Sequence, residues 1–159
     1  MVANLKYIIK RISEPSDAFL RAFEGNIRDS DKRELLAYGN SVSDEIKDSI
    51  ICSDECWAAE TENGDPIVVY GRTKVEGQIG TLIWCLGTKR LKDYWRPFAR
   101  ESRKQVQQWA QEYGPLWNAV GVFNDDAIRW LSWCGATFGF DFQRGSEMFR
   151  SFCICEEEI

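Results

Sequence analysis

The chain contains no histidine, which removes the commonest general base near neutral pH and with it the Ser-His and Cys-His nucleophile systems. Any catalysis would rest on carboxylates, tyrosines, thiolates or ordered water. Six cysteines are present, and the pairs Cys52/Cys56 and Cys153/Cys155 come nearest to a ligand spacing. A zinc half-site usually leaves two residues between its cysteines, so no metal is expected and the thiols read as small core fillers kept reduced. The densest single chemistry is basic. Lys89, Arg90, Lys92, Arg96, Arg100, Arg103 and Lys104 place seven positive charges in sixteen residues, against only Asp93 and Glu101. Like charges this close repel and add nothing to packing beyond their stems, so a stable fold does not need them. An anion or an acidic partner would.

The elements around this cluster fix where it acts. Gly80 to Leu86 is an apolar run of strand length, and Leu91, Trp95, Phe98, Val106 and Trp109 then trace one stripe of a long helix. Pro97 suits a first turn, so the helix should start around Tyr94 to Arg96. Lys89, Arg90 and Lys92 are left in the strand-to-helix loop, a place where α/β folds bind anions. Downstream, Leu116 to Phe123 reads as a buried strand, and Asn124, Asp125 and Asp126 offer cap oxygens and early negative charge. Ala127, Ile128, Leu131 and Cys134 follow at helical spacing, Gly135 supplies a left-handed stop, and Phe138, Phe140 and Phe142 alternate as in a strand with one buried face. That order is β-α-β.

Upstream, Leu5 to Ile12 reads as a strand, the run from Ser13 opens a helix carrying Phe19, Leu20 and Phe23, and Asp29-Ser30 caps a second, short helix stopped by Gly39-Asn40. Ser41 to Lys47 reads as a loop or ragged helix. Cys56 to Glu62 and Pro66 to Thr73 are two antiparallel strands joined through Asn63-Gly64, a dipeptide whose residues both accept positive φ. With 159 residues, 44% apolar and 13% aromatic, the chain has the makings of one α/β or α+β domain, and most of its seven tryptophans are expected in the core. No membrane-length apolar run and no secretory signal is seen, and the formal net charge of −5 argues against a surface devoted to nucleic acid. Residues 156–159 form a short acidic tail.

Asn124, Ala127 and Gly135 resemble the N-x-x-A-x-x-x-Y-x-x-x-G-F signature of the GNAT acetyltransferases. The resemblance implies a single domain over residues 1–155, with a mixed, mostly antiparallel sheet of about six to seven strands flanked by about four helices. It also implies a coenzyme A pyrophosphate at the strand-to-helix loop, which would assign Gly87, Thr88, Lys89, Arg90, Lys92 and Asn124 to the cofactor. Three features depart from the family, the first being its Gly-Phe pair, which stands here as Gly135-Ala136. Its proton-donating tyrosine falls on Leu131, and its phosphate loop R/Q-x-x-G-x-G/A stands here as Gly87-Thr88-Lys89-Arg90-Leu91-Lys92, which lacks the glycines that let backbone N–H groups close around phosphate. A closer resemblance, from Trp84 to Ile154, is to the small internal virion proteins of short-tailed phages. It rests on Leu116-Trp117-Asn118, Asn124, Ile128-Arg129, Leu131, Gly135-Ala136 and Phe138.

Three readings follow. The leading one is a catalytically silent GNAT fold that needs no cofactor and serves in a virion after synthesis in the host cytoplasm. It would meet other virion proteins, or copies of itself, through Arg96, Arg100, Arg103 and Lys104. The alternative is an acetyl-CoA-dependent N-acetyltransferase acting on an amine, with Glu55 or Glu60 as the base. The third, a nucleic-acid contact through the basic helix, is disfavoured by the acidic domain around it.

Overall fold

The β-α-β stretch folds as its residues require. Leu116–Gly121 is a strand, Asp125–Trp133 a helix and Thr137–Arg144 a strand. Asn124 caps the helix by accepting from the Ala127 N–H, and Gly135, at φ +95°, makes the left-handed stop. The computed structural model describes residues 6–157, so Leu5 and the end of the acidic tail lie outside the described residues.

In chain order the elements are β1 (Tyr7–Arg11), α1 (Asp17–Glu24), α2 (Asp29–Leu36), α3 (Val42–Cys52), β2 (Glu55–Thr61), β3 (Pro66–Thr73) and β4 (Thr81–Gly87). A 3₁₀ turn (Lys89–Asp93) then leads into α4 (Trp95–Tyr113), β5 (Leu116–Gly121), α5 (Asp125–Trp133), β6 (Thr137–Arg144) and β7 (Glu147–Ile154). Seven strands form one sheet in the order β1-β2-β3-β4-β5-β7-β6, antiparallel throughout except for β4 beside β5. The α/β class, the single sheet and the mostly antiparallel pairing agree with the sequence-based expectation.

Alternate residues of the strands feed the core on both faces of the sheet. Cys56, Ala58, Val69 and Leu86 pack under α1 and α3 with Phe23, Ile46 and Ile50. Ile83, Leu116, Val120, Phe152 and Ile154 pack on the other face under α4 and α5 with Val106, Trp109 and Leu131. Each large side chain fully buried this way stabilises the fold by about 1.5–3 kcal/mol.

Four local expectations need correction. Ser41 to Lys47 is no loop: Ser41 caps a regular helix by accepting from Asp44 N–H, and Val42, Ile46 and Ile50 recur at i+4 to form its buried face. In the β2–β3 turn only Gly64 takes positive φ (+87°), because the four-residue connection closes without asking it of Asn63. A register shift between Phe138 and Asp141 breaks the alternation of β6 and leaves Phe140 70% exposed on an edge strand. Of the tryptophans, Trp109 is fully buried, Trp133 is exposed and the other five are half-buried.

Candidate functional site: a splayed strand pair

The parallel strands β4 and β5 pair only at Thr81↔Leu116 and Leu82↔Trp117. Gly80 pins this vertex. Thr81 N–H donates to Pro115 O at 2.9 Å, and a Cβ on Gly80 would lie 2.0 Å from that same oxygen, so only glycine fits, at φ +78°. One step on, the Asn118 amide spans the widening gap by donating to Ile83 O at 2.7 Å. Beyond it the strands separate and leave a cleft of about 440 Å³ that reaches both faces of the sheet. Trp84 and Trp117 wall it on the α1–α3 side, with Tyr38 and Glu34, while Trp130 and Leu131 wall it on the α5 side. The indole of Trp84 is held by Ser53 Oγ and that of Trp130 by Ser102 Oγ, both at 2.8 Å, which fixes the ring planes that shape the cleft.

At the open end, α2 reaches across both strands. Asp31 is fully buried; its Oδ2 accepts from the Gly87 N–H at the end of β4 (2.8 Å) and from Arg28 Nε (2.9 Å), and its Oδ1 accepts from Asn124 Nδ2 (3.1 Å). One turn later Glu34 Oε1 accepts from the Gly121 N–H at the end of β5 (2.7 Å) and from the same Asn124 amide (3.1 Å). Burial pushes the Glu34 carboxyl up to about 7, with the Asp31 charge adding to the rise and the two hydrogen bonds opposing it. A group with that pKa in a cleft exchanges protons at neutral pH.

Beside this end lies a second basin of about 650 Å³, lined by Arg28, Lys89, Lys92, Trp95 and Arg129 with Asp29 and Asp126. Lys89 stands 3.8 Å from Asp29, and Arg129 pairs with Asp126 at 3.1 Å. Arg28 is paired with Asp31 behind the basin, so the excess positive charge is that of Lys92, which makes no ion pair among the described residues.

The sequence matches no family model, and no curated protein matches it. Among solved structures, the chain is similar to a GNAT-family acetyltransferase of Bacillus anthracis, with 11% identity and a TM-score of 0.69 over 97% of this chain and 99% of that one. The fold is the GNAT acetyltransferase fold. It is similar too to the spermidine N-acetyltransferase of Vibrio cholerae in complex with CoA and spermine, with 11% identity and a TM-score of 0.60 over 94% of this chain and 95% of that one. At such identities the likeness is one of fold alone. Neither likeness links the chain to a phage virion protein.

Several residues assigned from the GNAT resemblance stand elsewhere than expected. Lys89 and Lys92 line the basin, but Arg90 turns away toward Asp65, 3.6 Å off, on the far side of the loop. Thr88 is buried with its hydroxyl donating to the Pro66 and Ile67 carbonyls, so it is closed to a ligand. The loop offers no nest of backbone donors: Gly87 N–H is taken by Asp31, Thr88 N–H by Ile67 O and Lys89 N–H by Asn26 O. Asn124 caps α5 and holds the two α2 carboxylates. Leu131, at the family's tyrosine position, is buried in the α4–α5 core.

Neither candidate base reaches the cleft. Glu55 lies on the α4 side outside the cleft lining, where it accepts from Trp57 Nε1 (2.7 Å), Arg72 Nε (2.9 Å) and Trp109 Nε1 (3.4 Å). Burial alone would raise its pKa, but these donors hold it below the ordinary value, so it is a structural anion rather than a base. Glu60 is tied to Lys10 across β1–β2 at 2.8 Å. Replacing Glu55 with glutamine should cost about 1–2 kcal/mol of stability, read from denaturant unfolding, because Arg72 then loses its charged partner.

The basic helix face is partly neutralised. Arg103 pairs with Glu157 at 3.3 Å and lies over the Trp133 ring, and Lys104 stands 3.9 Å from Glu101. Arg96 and Arg100 are exposed, with no ion pair among the described residues. The six cysteines are free thiols, and burial pushes Cys56 and Cys134 up to about 12, which leaves them unreactive. Arg28, Asp31, Glu34 and Arg129 were absent from the sequence-based site. Only their residue types were visible, since an acid in a helix's first turns reads as capping or solvated charge.

Proposed function

We propose that this chain is an N-acyltransferase that moves an acyl group from a coenzyme A thioester to a primary amine. The observation that carries this reading is the β4–β5 splay, whose cleft pierces the sheet and ends at an electropositive basin. A narrow channel flanked by separated strand edges suits an extended pantetheine arm, because unpaired strand groups can hydrogen-bond its amides. Lys89, Lys92, Arg129 and Arg28 would hold the coenzyme phosphates by side-chain charge, in place of the backbone donors that the loop has engaged. The amine would approach from the α1–α3 side, between Trp84, Trp117 and Tyr38, whose rings favour a cationic or apolar substituent.

The transfer needs a proton acceptor for the amine and a donor for the departing thiolate. Glu34, with its carboxyl near 7, is the acceptor this cleft supplies. Tyr38, whose oxygen accepts from Arg144 at 2.6 Å and whose pKa is raised by burial, keeps its own proton available. These two replace the family tyrosine, which Leu131 cannot.

The test is release of free thiol from acetyl-CoA in the presence of a panel of primary amines. An active protein should show kcat/KM rising with pH through about 7, as Glu34 loses its proton, and Glu34→Gln should abolish that inflection. A second reading, a GNAT fold kept as a packaged virion scaffold, is supported by the engaged loop donors and buried Leu131. No thiol release with any amine would favour it.

A further inference from the structure

The hydrogen bonds at the open end of the splay have a composition unusual for a structural contact. Four donors converge there: Gly87 N–H from the end of β4, Gly121 N–H from the end of β5, the Asn124 amide at the N-cap of α5, and the guanidinium of Arg28 at the N-cap of α2 itself. Such a cluster is an anion site by its chemistry. Two anions of the chain's own, Asp31 and Glu34, fill it. Both come from α2, and together they tie the ends of the two strands across the gap.

The helix that delivers them is lightly anchored. It has eight residues, its N-cap Arg28 makes no side-chain capping bond, and only Asp31 and Leu35 of its side chains are fully buried. Beyond its C-terminal end lies Gly39 at φ +83°. Just ahead of it, Arg28 N–H donates to Gly87 O and Lys89 N–H to Asn26 O, so the segment leading into α2 stays pinned to β4 while the helix hangs from it. Its other ties are Leu35, buried in the core, and Arg33, which lies over the Phe123 ring at 3.9 Å and pairs with Glu147 (2.7 Å) in an exposed contact that contributes little.

We propose that α2 is an internal latch, in which Asp31 and Glu34 close the mouth of the splay from within and must leave their donors before a phosphate-bearing thioester can occupy the cleft. This rests on the acyltransferase reading of the same cleft. With the Gly87 and Gly121 N–H groups committed to α2, the site is shut by default and opens only for an anion that takes over their bonds. Release also frees Glu34 from Gly121, so that the carboxylate becomes available to the amine only once the thioester is in place. Access and proton transfer are thereby coupled through one short helix.

The test uses amide hydrogen exchange across residues 32–36 of the full chain, with and without saturating coenzyme A, alongside titrations of coenzyme A into wild type, Asp31→Asn and Glu34→Gln. The latch predicts that coenzyme A speeds exchange in this helix by about tenfold or more. It also predicts that Asp31→Asn, which weakens the acceptor of Gly87 N–H and Arg28, binds it at least about fivefold more tightly. Glu34→Gln, which keeps its hydrogen bonds and steadies the closed helix, should bind it more weakly than wild type. Tighter binding alone would follow from removing a negative charge, so the exchange result is the decisive one. Asp31→Asn leaves Arg28 without its partner and risks poor folding, whereas Glu34→Gln keeps both hydrogen bonds. Binding by Asp31→Asn but not by wild type, with faster exchange in α2, supports a latch that is shut in isolation. Equal protection of α2 in the complex overturns the latch and leaves the acyltransferase reading standing. No binding to any of the three proteins overturns both.

Discussion

Replacing Glu34 with glutamine is expected to raise the melting temperature at pH 8 by on the order of 10 °C. Both hydrogen bonds to this side chain, from Gly121 N–H and Asn124 Nδ2, end on one oxygen, Oε1. A glutamine presents the same oxygen to the same donors and removes only the buried charge. That charge is what the fold resists: the native carboxyl holds its proton to about 7, while in the unfolded chain it is lost near the ordinary 4.5. Between those values the native state binds more protons, so stability falls as pH rises and the full penalty is present above 7. A shift of this size corresponds to on the order of 3 kcal/mol. The wild-type melting temperature should therefore decline from pH 5 to pH 7.5 by more than that of Glu34→Gln, as read by circular dichroism. Equal slopes would show that Glu34 is ionised throughout and that its site is wetter than its surroundings imply. A residue that lowers stability while facing a cleft is more plausibly kept for function than for folding.

Reversing the charge of Lys92 and Arg129 together should weaken coenzyme A binding by about a hundredfold at low salt, with little change in melting temperature. Lys92 is exposed, with no ion pair among the described residues, and the Arg129–Asp126 pair is largely exposed at 78% and 66%, so neither supports the fold appreciably. Both line the basin where phosphates would sit, and the difference from wild type should shrink as salt screens the site. Arg90→Glu is the matched control. It carries the same change of charge as the Lys92 reversal alone, on the same loop, but its side chain points to Asp65 outside the basin, so its effect should be at most a few-fold.

How far the molecule could be read before its structure depended on the distance over which each residue acts. Asn124, Gly135 and the apolar stripe of α4 act within a turn or two, and their capping, stop and period of 3.6 were legible. Ser41 shows the same rule failing: its cap and the Val42, Ile46, Ile50 spacing are local, but the polar residues between them hid the period. The site was harder. Asp31 meets Gly87 and Asn124, and Glu34 meets Gly121, across gaps of 56 to 93 residues that no local pattern encodes. Glu55 misled for the opposite reason, since a carboxylate at a strand end looks available until Trp57, Arg72 and Trp109 are seen to converge on it. The basic cluster was visible as charge, yet which of its members face a common basin depends on the 3₁₀ turn that sends Lys89 and Lys92 one way and Arg90 the other.

The central claim, that the β4–β5 cleft receives an acyl thioester of coenzyme A, is tested most directly by titrating acetyl-CoA into the wild-type protein in a calorimeter at low salt. The account predicts a saturable one-to-one isotherm with a dissociation constant in the micromolar range. That affinity should collapse in the Lys92→Glu, Arg129→Glu protein and persist in Arg90→Glu. An isotherm unaffected by reversal in the basin, or no heat of binding with wild type and Asp31→Asn alike, would contradict it.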